Sequence, residues 1–360
     1  MKIFFDHRIF FHQNSGGISR YIINLSRQFD KMNKPSFISS PFHINTMLKD
    51  YYKVKKNIFG RYIYKKPRFT NSLLNFINTL ITSYNLKKIN PNVYHQTYYG
   101  DFLCEKKIIK VVTVHDLIHE KFHKYYGFDK NWRPKLNSLQ QADKIICVSE
   151  NTKEDLNKFY DTKNKQIKVI YHGSDHLTLK KNFSEKNKRE NFILFVGGRG
   201  KYKNFIKFVE SYANNHELKK NFKVVCFGGG QFNEKEFKLF NEKKIKDQIL
   251  YEYGDDENLI NLYKKAACLV YPSLYEGFGI PIIEAMSFGC PVAASNSISL
   301  KESCGEAAFI FDQNSSQGIS DAIIKAINSI NDDKISLGII HTKKFTWRKC
   351  AEETLKFYEN

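Results

Sequence analysis

The chemistry in this chain begins with two glutamates. Glu276 and Glu284 stand eight residues apart in the run Tyr271-Pro-Ser-Leu-Tyr-Glu-Gly-Phe-Gly-Ile-Pro-Ile-Ile-Glu. A strand ends near Pro272, a glycine-rich loop follows, and Pro281 suits the first turn of a helix that Gly289 and Pro291 close. Glu276 is then a loop residue and Glu284 lies about one turn into the helix, so both carboxylates can reach one pocket at different depths. Ionised carboxylates accept hydrogen bonds, which suits vicinal hydroxyls. Solvated glutamates flanking a turn would not need this density of glycine and proline.

A second constellation is cationic. The buried run Phe192–Val196 leads into Gly197-Gly198-Arg199-Gly200-Lys201-Tyr202-Lys203-Asn204, with a helix predicted from about Asn204. Glycines let a ligand approach the backbone, and a helix start offers N–H groups to an anion. Arg199 adds a planar fork of donors and Lys203 a point charge, which together suit a diphosphate. A strand–turn–helix with solvated cations would read the same in isolation. A third feature is His115, which follows the run Val111–Val114; His95 and His172 also end strand-like runs. A lone histidine is as easily a satisfied structural one.

These residues need scaffolds. Strands are predicted at Lys2–Phe5, Ser36–Ser40, Val93–His95, Lys110–His115, Lys144–Val148 and Lys168–Tyr171. A second series runs Phe192–Val196, Lys223–Phe227, Ile249–Tyr253, Cys268–Tyr271, Pro291–Ala294 and Ala307–Phe311. Helical patterns separate most of them, so the fold class is α/β, with two doubly wound parallel-sheet domains. Expected boundaries are 1–178 for an N-terminal domain, 179–190 for a linker, 191–342 for a C-terminal domain and 343–360 for a terminal helix. Ligands bind such sheets at the carboxyl ends of their strands, and two domains facing each other would enclose a cleft between those ends.

Composition bounds the function. A chain of 360 residues, 42% of them hydrophobic, can bury two cores. No run of about 18 apolar residues occurs and the start lacks a leader pattern, so a cytoplasmic protein is expected. Seven cysteines without a Cys-x-x-Cys pair read as buried free thiols, and no metal site is expected. Residues 1–180 carry a net charge of +17 and residues 181–360 only +3, within a total of +20. Such a field implies an anionic partner. The aromatics are interleaved with core residues and form no stacking platform, which argues against nucleic acid. Between 69 and 86, Leu73, Leu74, Ile77, Leu80, Ile81 and Tyr84 recur at near-helical spacing, preceded by Lys65, Lys66 and Arg68 and followed by Lys87 and Lys88. A basic amphipathic helix can lie peripherally on an anionic membrane surface; the preferred expectation is that this apolar face packs on the N-terminal sheet.

The carboxylate run resembles the Glu-x7-Glu motif of retaining glycosyltransferases of the GT-B superfamily, most closely family 4. Other landmarks follow in the family's order: Gly16-Gly17-Ile18-Ser19-Arg20-Tyr21, Val112-Thr113-Val114-His115-Asp116, Val148-Ser149 with Thr152-Lys153, Val169 through His172-Gly173, Gly197-Gly198-Arg199 through Lys203-Asn204, and Phe345-Thr346-Trp347 before a helix. The resemblance covers essentially the whole chain. It implies two Rossmann-like domains facing a central cleft, with a C-terminal helix crossing back to the first. It also implies a nucleotide-diphosphate sugar as donor and no tightly bound cofactor or required metal. Glu284 would hold the donor ribose; Glu276, with the backbone of Phe278, Gly279 and Ile280, the transferred sugar. Arg199, Lys203 and Gly198 would meet the leaving diphosphate, Gly16 and Gly17 the phosphates and acceptor, and His115 the donor sugar near its anomeric carbon. Asp116 is the more structural member of its pair. The look of the motifs resembles bacterial surface-polysaccharide mannosyltransferases, with GDP-mannose as the implied donor and a glycan or lipid-linked glycan as acceptor. Three departures stand out: the tight Arg199–Lys203 spacing, Gly305-Glu306 where Gly-Asp is common, and His172-Gly173 in place of Asn-Gly. A phosphorylase of the same fold would need a much longer chain, and a nucleotide-sugar epimerase would not carry the Gly-Phe-Gly loop. A catalytically inactive sugar-nucleotide-binding subunit stays open.

Overall fold

A computed structural model of the protein describes residues 1–104, 107–123, 132–175, 177, 189–329 and 333–360. The chain divides into two compact units, Met1–His172 with Trp347–Asn360, and Gly173–Thr346. Most of the expected linker, residues 179–188, lies outside the described residues. Its last two residues belong to the second unit's sheet region, where Glu190 opens a strand and Arg189 donates to the carbonyls of Tyr263 and Lys264.

The first unit holds seven parallel strands: β1 (Ile3–Phe5), β2 (Ser36–His43), β3 (Ile58–Tyr62), β4 (Val93–Gln96), β5 (Ile109–Val114), β6 (Lys144–Cys147) and β7 (Gln166–Val169). Their order is β3-β2-β1-β4-β5-β6-β7. β1 lies between β2 and β4, with Ile3 opposite Ser36 on one side and Val93 on the other. Strands buried on both faces read as continuous apolar runs, and Ile3, Phe4 and Phe5 are all fully buried. Helices α1 (Gly17–Lys31) and α2 (Asn71–Ile89) lie in the crossovers on either side of β2 and β3. The chain's last helix, Trp347–Glu359, joins this unit: Tyr358 meets Phe29 edge-on at 6.1 Å and Trp347 packs 6.2 Å from Tyr21.

The second unit holds β8 (Glu190–Val196), β9 (Lys223–Phe227), β10 (Ile249–Glu252), β11 (Ala266–Tyr271), β12 (Val292–Ser295) and β13 (Phe309–Phe311), all parallel. Their order is β10-β9-β8-β11-β12-β13. Helices α3 (Phe205–Asn214), α4 (Glu234–Glu242), α5 (Asp256–Lys265) and α6 (Ile280–Ser287) cover its faces. In each sheet the winding reverses once, between β1 and β4 in the first and between β8 and β11 in the second. Doubly wound sheets bind their ligands at such reversals, beyond the carboxyl ends of the strands.

Two expectations are corrected. β3 carries no alternation to announce it, because it is an edge strand with Phe59, Gly60 and Arg61 exposed. Helix α2 turns the other way round from the packing expected of it. Its sheet-facing residues are Asn78, Thr82 and Leu86, while Leu73, Leu80, Ile81 and Tyr84 are exposed. The polar side chains have better partners there. Asn78 Nδ2 donates to the Phe42 carbonyl and its Oδ1 accepts from Phe42 N at 2.7 Å, while Thr82 meets His7 and Ser39. Among the described residues no helix is long and apolar enough to cross a membrane.

Candidate functional site

In the second unit the loops after β8 and β11 flank the reversal of winding, and they carry both constellations. Val196 passes into Gly197, which has φ +105° and whose N–H donates to the Phe227 carbonyl. The β9 loop answers with Gly228, Gly229 and Gly230, all at positive φ of 74–81°. A Cβ on Gly229 would stand 2.4 Å from the Gly197 carbonyl oxygen, so the two loops close on each other only through glycine.

Arg199 locks this pair of loops. Its Nε donates to Glu236 Oε1 at 2.7 Å, Nη1 to the Gly228 carbonyl, and Nη2 to the carbonyls of Gly230 and Gln231 at 2.8 Å. The guanidinium lies 4.7 Å over the Phe232 ring, and both charged side chains are about 95% buried. Four of the five N–H donors of Arg199 are therefore occupied within the unit, and one N–H of Nη1 remains beyond these bonds. Glu236 also accepts from Asn233 N through Oε2, at the start of α4. Sequence reasoning missed Glu236 because Asn233-x-x-Glu236 reads as an ordinary capping box, and here it is that as well.

Lys203 ends a short 3-10 turn, Lys201–Lys203, that precedes α3. The expected helix start is displaced by one residue: Asn204 is left-handed at φ +54° and ties its side chain to the Gln313 carbonyl. The turn is bonded to the next loop, because Leu274 N donates to the Tyr202 carbonyl at 2.7 Å. Lys203 Nζ lies 2.5 Å from Glu276 Oε1 and 3.1 Å from the Tyr271 hydroxyl. Burial alone would lower the Lys203 ammonium; the Glu276 carboxylate outweighs it and holds the lysine above its ordinary value.

Glu276 sits in the loop that ends at Gly279, and Gly279 caps α6 with φ +97° and Pro281 in the first turn. A Cβ on Gly279 would meet Leu300 at 2.8 Å, so the Gly-Phe-Gly segment is pressed against the helix Ile298–Cys304. The Phe278 carbonyl accepts from Ser303 Oγ and its ring meets Phe345 edge-on at 5.4 Å. Ile280 opens α6. Glu284 is buried one turn in, where the Tyr263 hydroxyl donates to its Oε2 at 3.0 Å. Gly198 is exposed in the first loop. Thus Gly198, Arg199, Lys203, Glu276, Phe278, Gly279, Ile280 and Glu284 lie along two neighbouring strand-end segments, with the Lys203–Glu276 ion pair as their direct link.

In the first unit, His115 follows β5 and is half-buried. Its ring stacks on His172 at 5.4 Å and meets Tyr21 edge-on at 5.2 Å. Burial, then repulsion from His172, His95 and Lys135, holds it well below the usual imidazole range, so it is neutral at pH 7. Asp116 turns to the backbone, accepting from Ile118 N. Gly16 precedes α1, which begins at Gly17; Gln13 Oε1 accepts from Ser19 N in the first turn. A Cβ on Gly16 would meet the Gln13 side chain at 2.3 Å, whereas Gly17 has open space. His95 is a core residue: it is fully buried, 2.8 Å from Thr113 Oγ1 and 2.6 Å from the Tyr358 hydroxyl. Among the described residues no group of three or more His, Cys, Asp or Glu side chains is arranged to hold a metal ion.

Two Rossmann-like parallel-sheet units, each with one reversal of winding, are the architecture of the GT-B fold. A family model described as Glycosyltransferase Family 4 matches residues 15–176, and one described as Glycosyl transferases group 1 matches residues 178–335. The chain belongs to that family of glycosyltransferases. It is 41% identical over 109 residues to "O-antigen chain mannosyltransferase B" of Escherichia coli, covering 30% of this chain and 29% of that protein. It is 32% identical over 164 residues to "O-antigen chain mannosyltransferase RfbU" of Salmonella typhimurium, covering 44% of each. The chain thus spans less than half the length of these curated relatives. Among solved structures, S. aureus TarM in complex with fondaparinux, alpha-GlcNAc-glycerol and UDP superposes with a TM-score of 0.77, at 14% identity and full coverage of both chains.

Proposed function

We propose that the protein is a retaining hexosyltransferase. It moves a hexose, mannose from GDP-mannose as the leading case, to a glycan or lipid-linked glycan acceptor in surface-polysaccharide synthesis. The observation that carries this reading is the Lys203–Glu276 pair, 2.5 Å across two strand-end loops. It sets a fixed cation and a hydroxyl acceptor side by side, as a sugar diphosphate requires. The mannosyltransferase titles of the two curated relatives support the choice of sugar. UDP in the TarM complex supports a nucleotide donor in this fold.

In this reading Glu284 clamps the ribose hydroxyls and Glu276 a hydroxyl of the transferred sugar, flanked by the backbone of Phe278, Gly279 and Ile280. The bond between the anomeric carbon and the β-phosphate oxygen breaks. The acceptor oxygen bonds to that carbon on the same face, and its proton passes to the leaving phosphate oxygen. Lys203 stabilises the charge that develops there. Arg199 acts on the same phosphate by holding the Gly197–Gly198 and Gly228–Gly230 loops in place and by donating its remaining Nη1 N–H to a phosphate oxygen. Neutral His115 serves the donor sugar as a hydrogen-bonding group rather than as a charge, and Gly16 and Gly17 admit the acceptor and phosphates to the start of α1.

Thermal-shift titration with GDP-, UDP- and dTDP-sugars tests the donor, since a ligand bound only by the folded state raises the midpoint by mass action. A rise with GDP-mannose and an α-linked product from an α-linked donor are expected. No shift with any sugar nucleotide would refute the reading, and a β-linked product would refute retention.

A further inference from the structure

Between Asp50 and Asp101 the chain contains no aspartate or glutamate, yet it carries nine lysines and arginines. Helix α2 lies within this stretch and presents apolar side chains to solvent. Leu73 and Phe76 are 60% exposed, Leu80 54% and Tyr84 64%, with Ile81 beside them. At 100° per residue these five fall on one face, and Lys87 and Lys88 continue the same face at its end. Isolated exposed leucines are ordinary on protein surfaces, whereas a contiguous row along one helix marks a surface that something covers. The sheet is not what covers it, because Asn78, Thr82 and Leu86 occupy that side.

The entry to the helix repeats the combination. Among the described residues Tyr64 and Phe69 are the most exposed aromatics, at 91% and 89%, and the Arg68 guanidinium lies 5.0 Å from the Phe69 ring centre. An open pocket of about 600 Å³ here is lined by Asn14, Lys65, Lys66, Arg68 and Asn71, among others. A 19-residue helix is about 28 Å long. Its outward face is therefore an apolar row with basic groups at each end. An acidic protein would match the cations but not the row of leucines, and an apolar protein the reverse. The interface of an anionic bilayer offers both in one plane, acyl chains below and phosphates at the level of the lysines.

We infer that the outward face of α2, with Phe69 and the basic segment that leads into it, is a docking surface for an anionic lipid bilayer, with the helix lying in the plane of the interface. Leu73, Phe76, Leu80 and Tyr84 enter the headgroup–acyl boundary, while Lys65, Arg68, Lys87 and Lys88 meet lipid phosphates. This does not rest on the identity of the sugar donor, and a lipid-linked acceptor would be presented at such a surface.

The test is flotation of the full-length chain with vesicles of phosphatidylcholine alone or mixed equally with phosphatidylglycerol. Binding to the mixed vesicles is expected, weakening as salt rises to about 0.5 M. Phe76→Glu with Leu80→Glu should weaken it at least tenfold, as a rough estimate from the lost apolar burial. Lys87→Ser with Lys88→Ser should weaken it by about 30-fold on anionic vesicles only. Both pairs are exposed, and unchanged thermal midpoints will show that the fold is kept. Failure to bind mixed vesicles would overturn the inference, as would binding untouched by the two glutamates. Dimerisation that the same glutamates abolish, in the absence of vesicle binding, would assign the face to a second copy of this chain instead.

Discussion

Lys203 Nζ and Glu276 Oε1 lie 2.5 Å apart, and the loops that bear them are further joined by the hydrogen bond from Leu274 N to the Tyr202 carbonyl. The pair is nearly closed to solvent, at 12% and 10% side-chain exposure. Paired in this way, the carboxylate does not stand as an uncompensated charge, and under the proposed function the ammonium is the group that meets the leaving phosphate. The loops after β8 and β11 are thereby set together before any donor arrives.

Breaking that pair on one side should be worse than breaking it on both. Lys203→Met leaves Glu276 buried without its partner, at a cost of about 3 kcal/mol. Adding Glu276→Gln removes the stranded charge and should recover much of the loss, as read by urea unfolding. Turnover should fall by roughly 100-fold or more in both variants, because the cation proposed to meet the leaving phosphate is gone in each. Equal stability of the single and double variants would show that the pair is not coupled.

Arg199 makes a different prediction, because geometry and not charge alone defines its role. A lysine cannot reach Glu236 and the carbonyls of Gly228, Gly230 and Gln231 together. Arg199→Lys should therefore resemble Arg199→Ala, with kcat lowered by roughly 100-fold. Gly229→Ala, which drives a Cβ toward the Gly197 carbonyl, should raise the donor KM and destabilise by more than about 1 kcal/mol. Full activity in Arg199→Lys would reduce its role to that of a point charge.

Glu284 should show a binding signature rather than a chemical one. It is proposed to touch the ribose, remote from the bond that breaks, so Glu284→Gln should raise the donor KM about tenfold with little change in kcat. Tyr263→Phe removes the hydroxyl that donates to Glu284 Oε2 and should raise KM a few-fold, the scale of about 1 kcal/mol for one hydrogen bond. A fall in kcat at unchanged KM would move Glu284 into the chemistry.

How much of this was legible in the sequence varies with the physics involved. The strand-end loops were, because Gly-Gly-Arg and Gly-Phe-Gly interrupt apolar runs that are otherwise continuous. Buried strands such as β8 and β11 announce themselves by those runs, whereas β3, an exposed edge, does not. The partners of the site were less visible. Glu236 wears the pattern of a helix cap, and Tyr263 and Tyr271 look like core aromatics until their hydroxyls are placed 3.0 Å and 3.1 Å from Glu284 and Lys203. His95 ends a strand just as His115 does, and only packing separates the core residue from the half-buried one. Helix α2 was misread for a related reason. Periodicity identifies an apolar face but not its direction, and here the hydrogen bonds of Asn78 and Thr82 decide which side meets the sheet.

Buried histidines should make stability fall on mild acidification. Burial lowers His7 and His43 from 6.5 to about 4, against partial compensation from Asp6 at His7 and from the Asn45 backbone at His43. Burial likewise lowers His95 and His172 to about 3. In each case the unfolded chain takes up a proton first, so stability is retained above about pH 6.5 and lost as the pH falls toward 4 and 3. Each histidine should account for about 1 kcal/mol between pH 6.5 and 5.5. Asp6 acts in a different window: burial would raise it, Arg8 keeps it below its ordinary 3.8, and its contribution is lost only as the pH falls further. Urea unfolding at pH 7.5, 6.5 and 5.5, values chosen to bracket about one unit on either side of the unfolded histidine pKa, reads the slope. His43 stacks on Tyr52 at 5.6 Å and 6°, so a phenyl ring fits its place, and His43→Phe should reduce the loss below pH 6.5 by about 1 kcal/mol. A pH profile identical to that of the unsubstituted chain would show that folding does not lower the pKa of His43.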